Sequence, residues 1–181
     1  MKHITLLALT LCLSATGYAQ KYMTRTGKVT FFSSTPIENI EAINNEAAAA
    51  IDPATGDMVY QVPIKSFRFQ NQLMQEHFNE SYMESDKFPK AVFKGKLANP
   101  GGVNFQKDGS YPATAAGQLT IHGVTKNVNI PGTIVVSRGQ VTANSKFRVK
   151  TADYGIRIPG VAAGKIAESI EVTVNSILTA R

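Results

Sequence analysis

An all-β, antiparallel fold, a sandwich or barrel of about eight strands, is what this 181-residue sequence predicts. Three observations carry that expectation. Apolar and polar residues alternate with period two in segment after segment, which marks strands with one buried and one wet face. Clusters of turn-forming residues separate those segments. A content of 43% hydrophobic and 18% charged residues is that of a globular chain with enough apolar material for one core.

The N-terminus precedes any strand. Lys2 leads into an apolar stretch over residues 4–13, and Gly17 and Ala19 place small residues where a signal peptidase cuts. A leader over residues 1–19 and a single domain over 20–181 are therefore expected. The expected location is the periplasm or the cell exterior, with no stable membrane anchor. Cys12, the only cysteine, lies inside that leader, so the mature domain is expected to use no disulfide, thiolate metal site or cysteine nucleophile.

In the first candidate strand Val29, Phe31 and Ser33 share one face, opposite Lys28, Thr30 and Phe32. A short helical turn is expected over residues 36–41. Residues 47–50, four consecutive alanines, suit close strand packing and a cavity wall equally. After the turn at Asp52-Pro53-Ala54-Thr55-Gly56, Met58, Tyr60, Val62 and Ile64 form the next apolar face, followed by Phe67 and Phe69. Ala91, Phe93, Gly95 and Leu97 continue the pattern, and so do Ala113, Ala115, Gly117, Leu119 and Ile121. Ser137-Arg138-Gly139 joins two long strands, the second with Val141, Ala143, Phe147 and Val149 inward. The last strand is expected to turn Ile166, Ile170, Val172 and Val174 inward.

One segment follows a different period. Over residues 71–82, Leu73, Met74, His77, Phe78 and Tyr82 recur at helical spacing, Glu76 and Glu80 face the other way, and Asn71 is placed as the N-cap.

Composition excludes several functions. The formal charge of +6 is scattered along the chain, with no Trp and no basic stripe interleaved with aromatics, so nucleic-acid binding is not expected. His77 and His122 lie far apart with no His-x-x-x-His pattern, so no metal and no cofactor are expected. Glu84 and Asp86 read as a solvated loop ahead of Phe88-Pro89 in preference to a calcium contact. His77, on the apolar side of the helix, reads as a hydrogen-bonded structural residue. His122 falls in a turn where Gly123 supplies a positive φ. No nucleophile motif or base spacing is present, so no catalytic residue is assigned and an enzyme is not expected.

Three stretches resemble the YceI-like family of exported, lipocalin-like barrels associated with polyisoprenoid binding. They are Leu119-Thr120-Ile121-His122-Gly123-Val124-Thr125-Lys126 with Val128; Glu76-His77-Phe78 continuing to Glu84-Ser85-Asp86-Lys87-Phe88-Pro89-Lys90-Ala91-Val92-Phe93; and Asp153-Tyr154-Gly155-Ile156. The chain departs from the family pattern at Met74-Gln75, where many members carry an Arg-Asp pair, and the first third looks abbreviated.

The resemblance implies an up-and-down antiparallel β-barrel, lipocalin-like, with one inserted amphipathic helix. It implies a binding protein that sequesters a polyisoprenoid or other long-chain amphiphile; a homodimer is compatible with it. Small inward residues such as Ala115 leave room in a barrel of about eight strands. The expected ligand-binding residues are Phe31, Tyr60, Val62, Ile64, Phe67, Phe69, Met74, His77, Phe78, Phe88, Phe93, Ala115, Leu119 and Phe147, with basic residues near the mouth accommodating an anionic head. The rival readings are a structural or stress-related exported barrel with a filled core, and a lipid-modifying enzyme.

Overall fold

The computed structural model describes residues 20–162 and 164–181. The expected leader lies outside the described residues. Among the described residues nine strands form one antiparallel sheet: β1 (Tyr22–Ser34), β2 (Asn39–Ile51), β3 (Asp57–Pro63), β4 (Arg68–Phe69), β5 (Lys90–Leu97), β6 (Gly109–Ile121), β7 (Val124–Ser137), β8 (Gln140–Lys150) and β9 (Ser169–Ala180). Each long strand pairs with its neighbour in sequence. The sheet closes where β9 returns to β1, with Val29 opposite Val174 and Tyr22 opposite Ala180. The result is a closed up-and-down barrel of eight long strands, and closure removes the free edges that an open sheet would expose. The two-residue β4 pairs with Ala42 and Ile43 of β2 beside that ring.

The alternation read from the sequence sets the inward faces of β1, β3, β5, β6 and β8. Val29 and Ser33, Met58 and Tyr60, Phe93 and Leu97, Leu119, and Val141, Ala143 and Val149 are all buried. Ile166 lines the interior as expected, but it precedes β9, which begins at Ser169.

Two further expectations are overturned. Residues 36–41 form no helical turn, because Thr35 makes a tight turn by hydrogen bonding to the Glu38 carbonyl and β2 begins at Asn39. The first third is not abbreviated either: β1 and β2 are each 13 residues long. Their pairing slips twice, between Thr24 and Gly27 and between Gly27 and Val29, so each strand carries a bulge. The second bulge moves the inward phase of β2 from Ala42 and Asn44 to Ala47, Ala49 and Ile51, all buried.

The connections divide unequally between the two ends. One end has residues 52–56, 98–108 and 138–139. The other has the tight turns at 35–38 and 122–123 and two long crossings, residues 64–89 and 151–168. The first crossing holds helix α1 (Gln72–His77), which Asn71 caps by accepting from Leu73 and Met74 N–H, as the sequence predicts. The expected α-helix to residue 82 instead widens into a π turn over Phe78–Tyr82, with Met83 N–H donating to the Phe78 carbonyl. Buried Asn44 bridges the break between β3 and β4 by donating to the Pro63 carbonyl at 2.7 Å.

Candidate functional site

The interior of the barrel is a cavity of 740 Å³, within the ordinary range for a small-molecule site. Its lower boundary is solid. Ile51, Val136, Val141 and Leu178, each no more than 2% exposed, fill the barrel beneath it. Its lowest walls are Met58, Leu97, Ile134 and Ala143. Ala113 and Ala115 also line it, and their short side chains leave the volume unfilled.

The middle walls are Tyr60, Phe93, Leu119 and Phe147. Burial pushes the Tyr60 phenol up to about 12. The Ser176 hydroxyl opposes that rise, yet the two oxygens do not meet in hydrogen-bond geometry, and both are buried without a partner among the described residues. The polar end of Tyr60 is therefore turned into the wall, and only its ring is offered to the cavity.

Higher up, Val62, Ile64, Phe67 and Phe69 join Phe31. The first crossing folds down onto this rim through one ring. Phe78 stacks on Phe31 at 5.4 Å and meets Phe67 and Phe69 at 5.6 and 5.0 Å. Met74, Leu73 and His77 complete this side. Leu73 is 57% exposed, and with exposed His77 and Lys165 among the walls the cavity opens at this end.

The expected site residues thus converge on one cavity, with a single exception. Phe88 is not among its walls; its ring covers Gly123 and meets the His122 ring edge-on at 4.6 Å. Phe88 lies outside any strand, just before β5, so no alternation governs its direction. His77 faces the opening, and none of the hydrogen bonds among the described residues involves its ring, against the expectation of a hydrogen-bonded structural role. Glu76 is absent from the lining and accepts from Gln72 at 3.0 Å. Sequence reasoning missed Ile130 on β7 and Ile156, Ile158 and Pro159 on the second crossing. The apolar alternation of Ile156 and Ile158 was the available signal for the latter.

His122 gathers the three stretches that carry the family resemblance. Its Nε2 lies 2.7 Å from Glu84 Oε2, and its Nδ1 lies 3.3 Å from the Tyr154 carbonyl oxygen. A Cβ at Gly123, where φ is +75°, would collide with the Phe88 ring. One imidazole therefore ties both crossings to the β6–β7 turn. Glu84 and Asp86 are engaged in this framework, Asp86 through an ion pair with Lys65.

The open end carries basic residues, as expected, together with acidic ones. Its four connections carry Lys65, Arg68, Lys87, Arg157 and Lys165 against Glu38, Glu76, Glu80, Glu84, Asp86, Asp153 and Glu168. On these connections acids outnumber bases.

The same barrel occurs in solved structures. A polyisoprenoid-binding domain from Saccharophagus degradans, implicated in plant cell wall breakdown, is 13% identical, with a TM-score of 0.77 over 90% of this chain and 99% of that one. BcnA from Burkholderia cenocepacia is 20% identical, with a TM-score of 0.69 over 84% and 96%. A Campylobacter jejuni YceI protein is 17% identical, with a TM-score of 0.57 over 75% and 80%. No curated protein matches the sequence significantly. The profile of the YceI-like domain matches residues 18–177, and the chain belongs to that family.

Proposed function

We propose that this protein is an exported carrier that sequesters a polyisoprenoid or a similar long apolar amphiphile inside its barrel. The observation that carries the reading is the continuous apolar cavity of 740 Å³, running from exposed Leu73 at the mouth to Met58 above the sealed floor. Water inside such a volume finds few polar partners, whereas a hydrocarbon chain gains about 25 cal/mol for each Å² of apolar surface it buries. The polyisoprenoid-binding domain with the same fold supports this choice of ligand.

In this reading the chain of the ligand runs past Leu119, Phe93 and Phe147, with Ala115 providing its space. Phe31, Phe67, Phe69 and Phe78 close around the segment nearest the mouth. The protein acts by desolvation alone and needs no catalytic group. Export rests on the leader read from residues 1–19 and places the carrier in the periplasm or outside the cell.

Purification from a host with a comparable envelope, followed by organic extraction and mass spectrometry, tests the reading. A long-chain amphiphile recovered at about one per protein is the expected result. Reproducible recovery of protein with an empty interior that takes up no added amphiphile would overturn it. Recovery of a chemically altered lipid would favour a lipid-modifying enzyme.

A further inference from the structure

We infer that the carried molecule has an uncharged polar head, such as a hydroxyl, amide or carbonyl, and that Glu38 at the mouth discriminates against a phosphorylated one. The inference rests on the carrier reading and goes beyond it to the chemistry of the head.

A chain held in this cavity leaves its head among the polar side chains of the opening, because the floor below is sealed by apolar residues. The side chains lining the opening that can carry charge near neutral pH are Glu38, His77 and Lys165, beside the phenol of Tyr82. Glu38 lies on the β1–β2 turn and Lys165 on the second crossing. These segments touch: a Cβ at Gly164 would lie 3.3 Å from Ile37 Cδ1. Yet neither Glu38 nor Lys165 belongs to an ion pair among the described residues. The side chains of both are left to meet whatever occupies the mouth.

One carboxylate and one ammonium balance each other. A hydroxyl or a primary amide can hydrogen-bond to both, accepting from Lys165 and donating to Glu38, and a carbonyl can accept from Lys165. A diphosphate is in a different position. It brings two or more negative charges beside Glu38 with one lysine to offset them, and sites built for phosphate present several cations or convergent N–H donors.

Calorimetric titration of the protein in 0.15 M salt with geranylgeraniol and with geranylgeranyl diphosphate, which share one hydrocarbon chain, tests the inference. The alcohol is expected to bind at least tenfold more tightly. Glu38→Gln is expected to strengthen diphosphate binding at least threefold, and Lys165→Gln to weaken it by a similar factor, with circular dichroism showing each variant folded. Diphosphate binding as tight as the alcohol, or tighter, overturns the inference and leaves the carrier reading standing. No change in diphosphate affinity in folded Glu38→Gln also overturns it. Binding of neither probe overturns both readings.

Discussion

In the closed half of the barrel, strand meets strand through bare backbone, whereas at the mouth contact is made by side chains carried on two long crossings. Gly95 and Gly117 face each other across β5 and β6, and a Cβ on Gly117 would lie 2.5 Å from Gly95 Cα. The Phe93 ring covers Gly95 on the inner face. At the mouth, four phenylalanines pack ring against ring, and His122 holds residues from both crossings by two polar contacts. Backbone contact across two glycines fixes one geometry. Side-chain contacts can rearrange without unfolding a strand, which in the carrier reading suits an opening through which a flexible chain passes. In the carrier reading, the sealed half would hold the far end of the ligand and the ring-packed mouth would admit it.

That contrast breaks most visibly at Gly117. Gly117→Val drives a branched side chain into the Lys94 carbonyl and Gly95, and it is expected to cost about 3 kcal/mol or more in urea denaturation. A loss below about 1 kcal/mol would show that the closed half yields as easily as the mouth.

Tyr60 sharpens the picture through pH. Its phenol ionises near 10 in the unfolded chain and at about 12 in the folded one. The fold therefore keeps its full stability below pH 10 and loses it as pH rises toward 12, by on the order of 2–3 kcal/mol. Tyr60→Phe is expected to reduce that alkaline loss. At neutral pH the same change is neutral or slightly stabilising, because it deletes a buried hydroxyl without a partner. Denaturation of both proteins between pH 8 and pH 12 measures the effect, and equal alkaline losses would contradict the burial.

His122→Ala is the smallest of these effects, at about 1–2 kcal/mol. Its signature is spatial. Hydrogen exchange should accelerate in residues 84–88 and 151–156 while β5 and β6 near Gly95 and Gly117 keep their protection. Uniform acceleration would mean that the imidazole does not act as a local tie.

Most of the barrel was legible because half-buried strands write their direction into the sequence. Tyr60, Phe93, Leu119 and Phe147 follow from alternation alone. Strand β2 resisted for two reasons visible in the structure. Between Ile40 and Ile51 its inward positions are Ala42, Asn44, Ala47 and Ala49, too small or too polar to stand out, and a bulge reverses their phase midway. Of the site, the walls on strands and the helix face with Met74, His77 and Phe78 were readable, and the rest of the mouth was not. Phe88, Glu38 and Lys165 lie in connections, where no period ties sequence to direction. The motifs that announced the family build the tie at His122 and also supply part of the lining, among it Leu119, Phe93 and Phe78.

The claim on which all else depends is that space above Ala115 is empty of protein and open to a hydrocarbon chain. Titration of Ala115→Phe with a fluorescent long-chain fatty probe, alongside thermal unfolding, tests it directly. The account predicts binding weakened at least tenfold in a barrel whose stability changes by less than about 1 kcal/mol, because the ring fills existing space. Destabilisation by about 1–3 kcal/mol from overpacking, with no probe bound even by the parent protein, would contradict it.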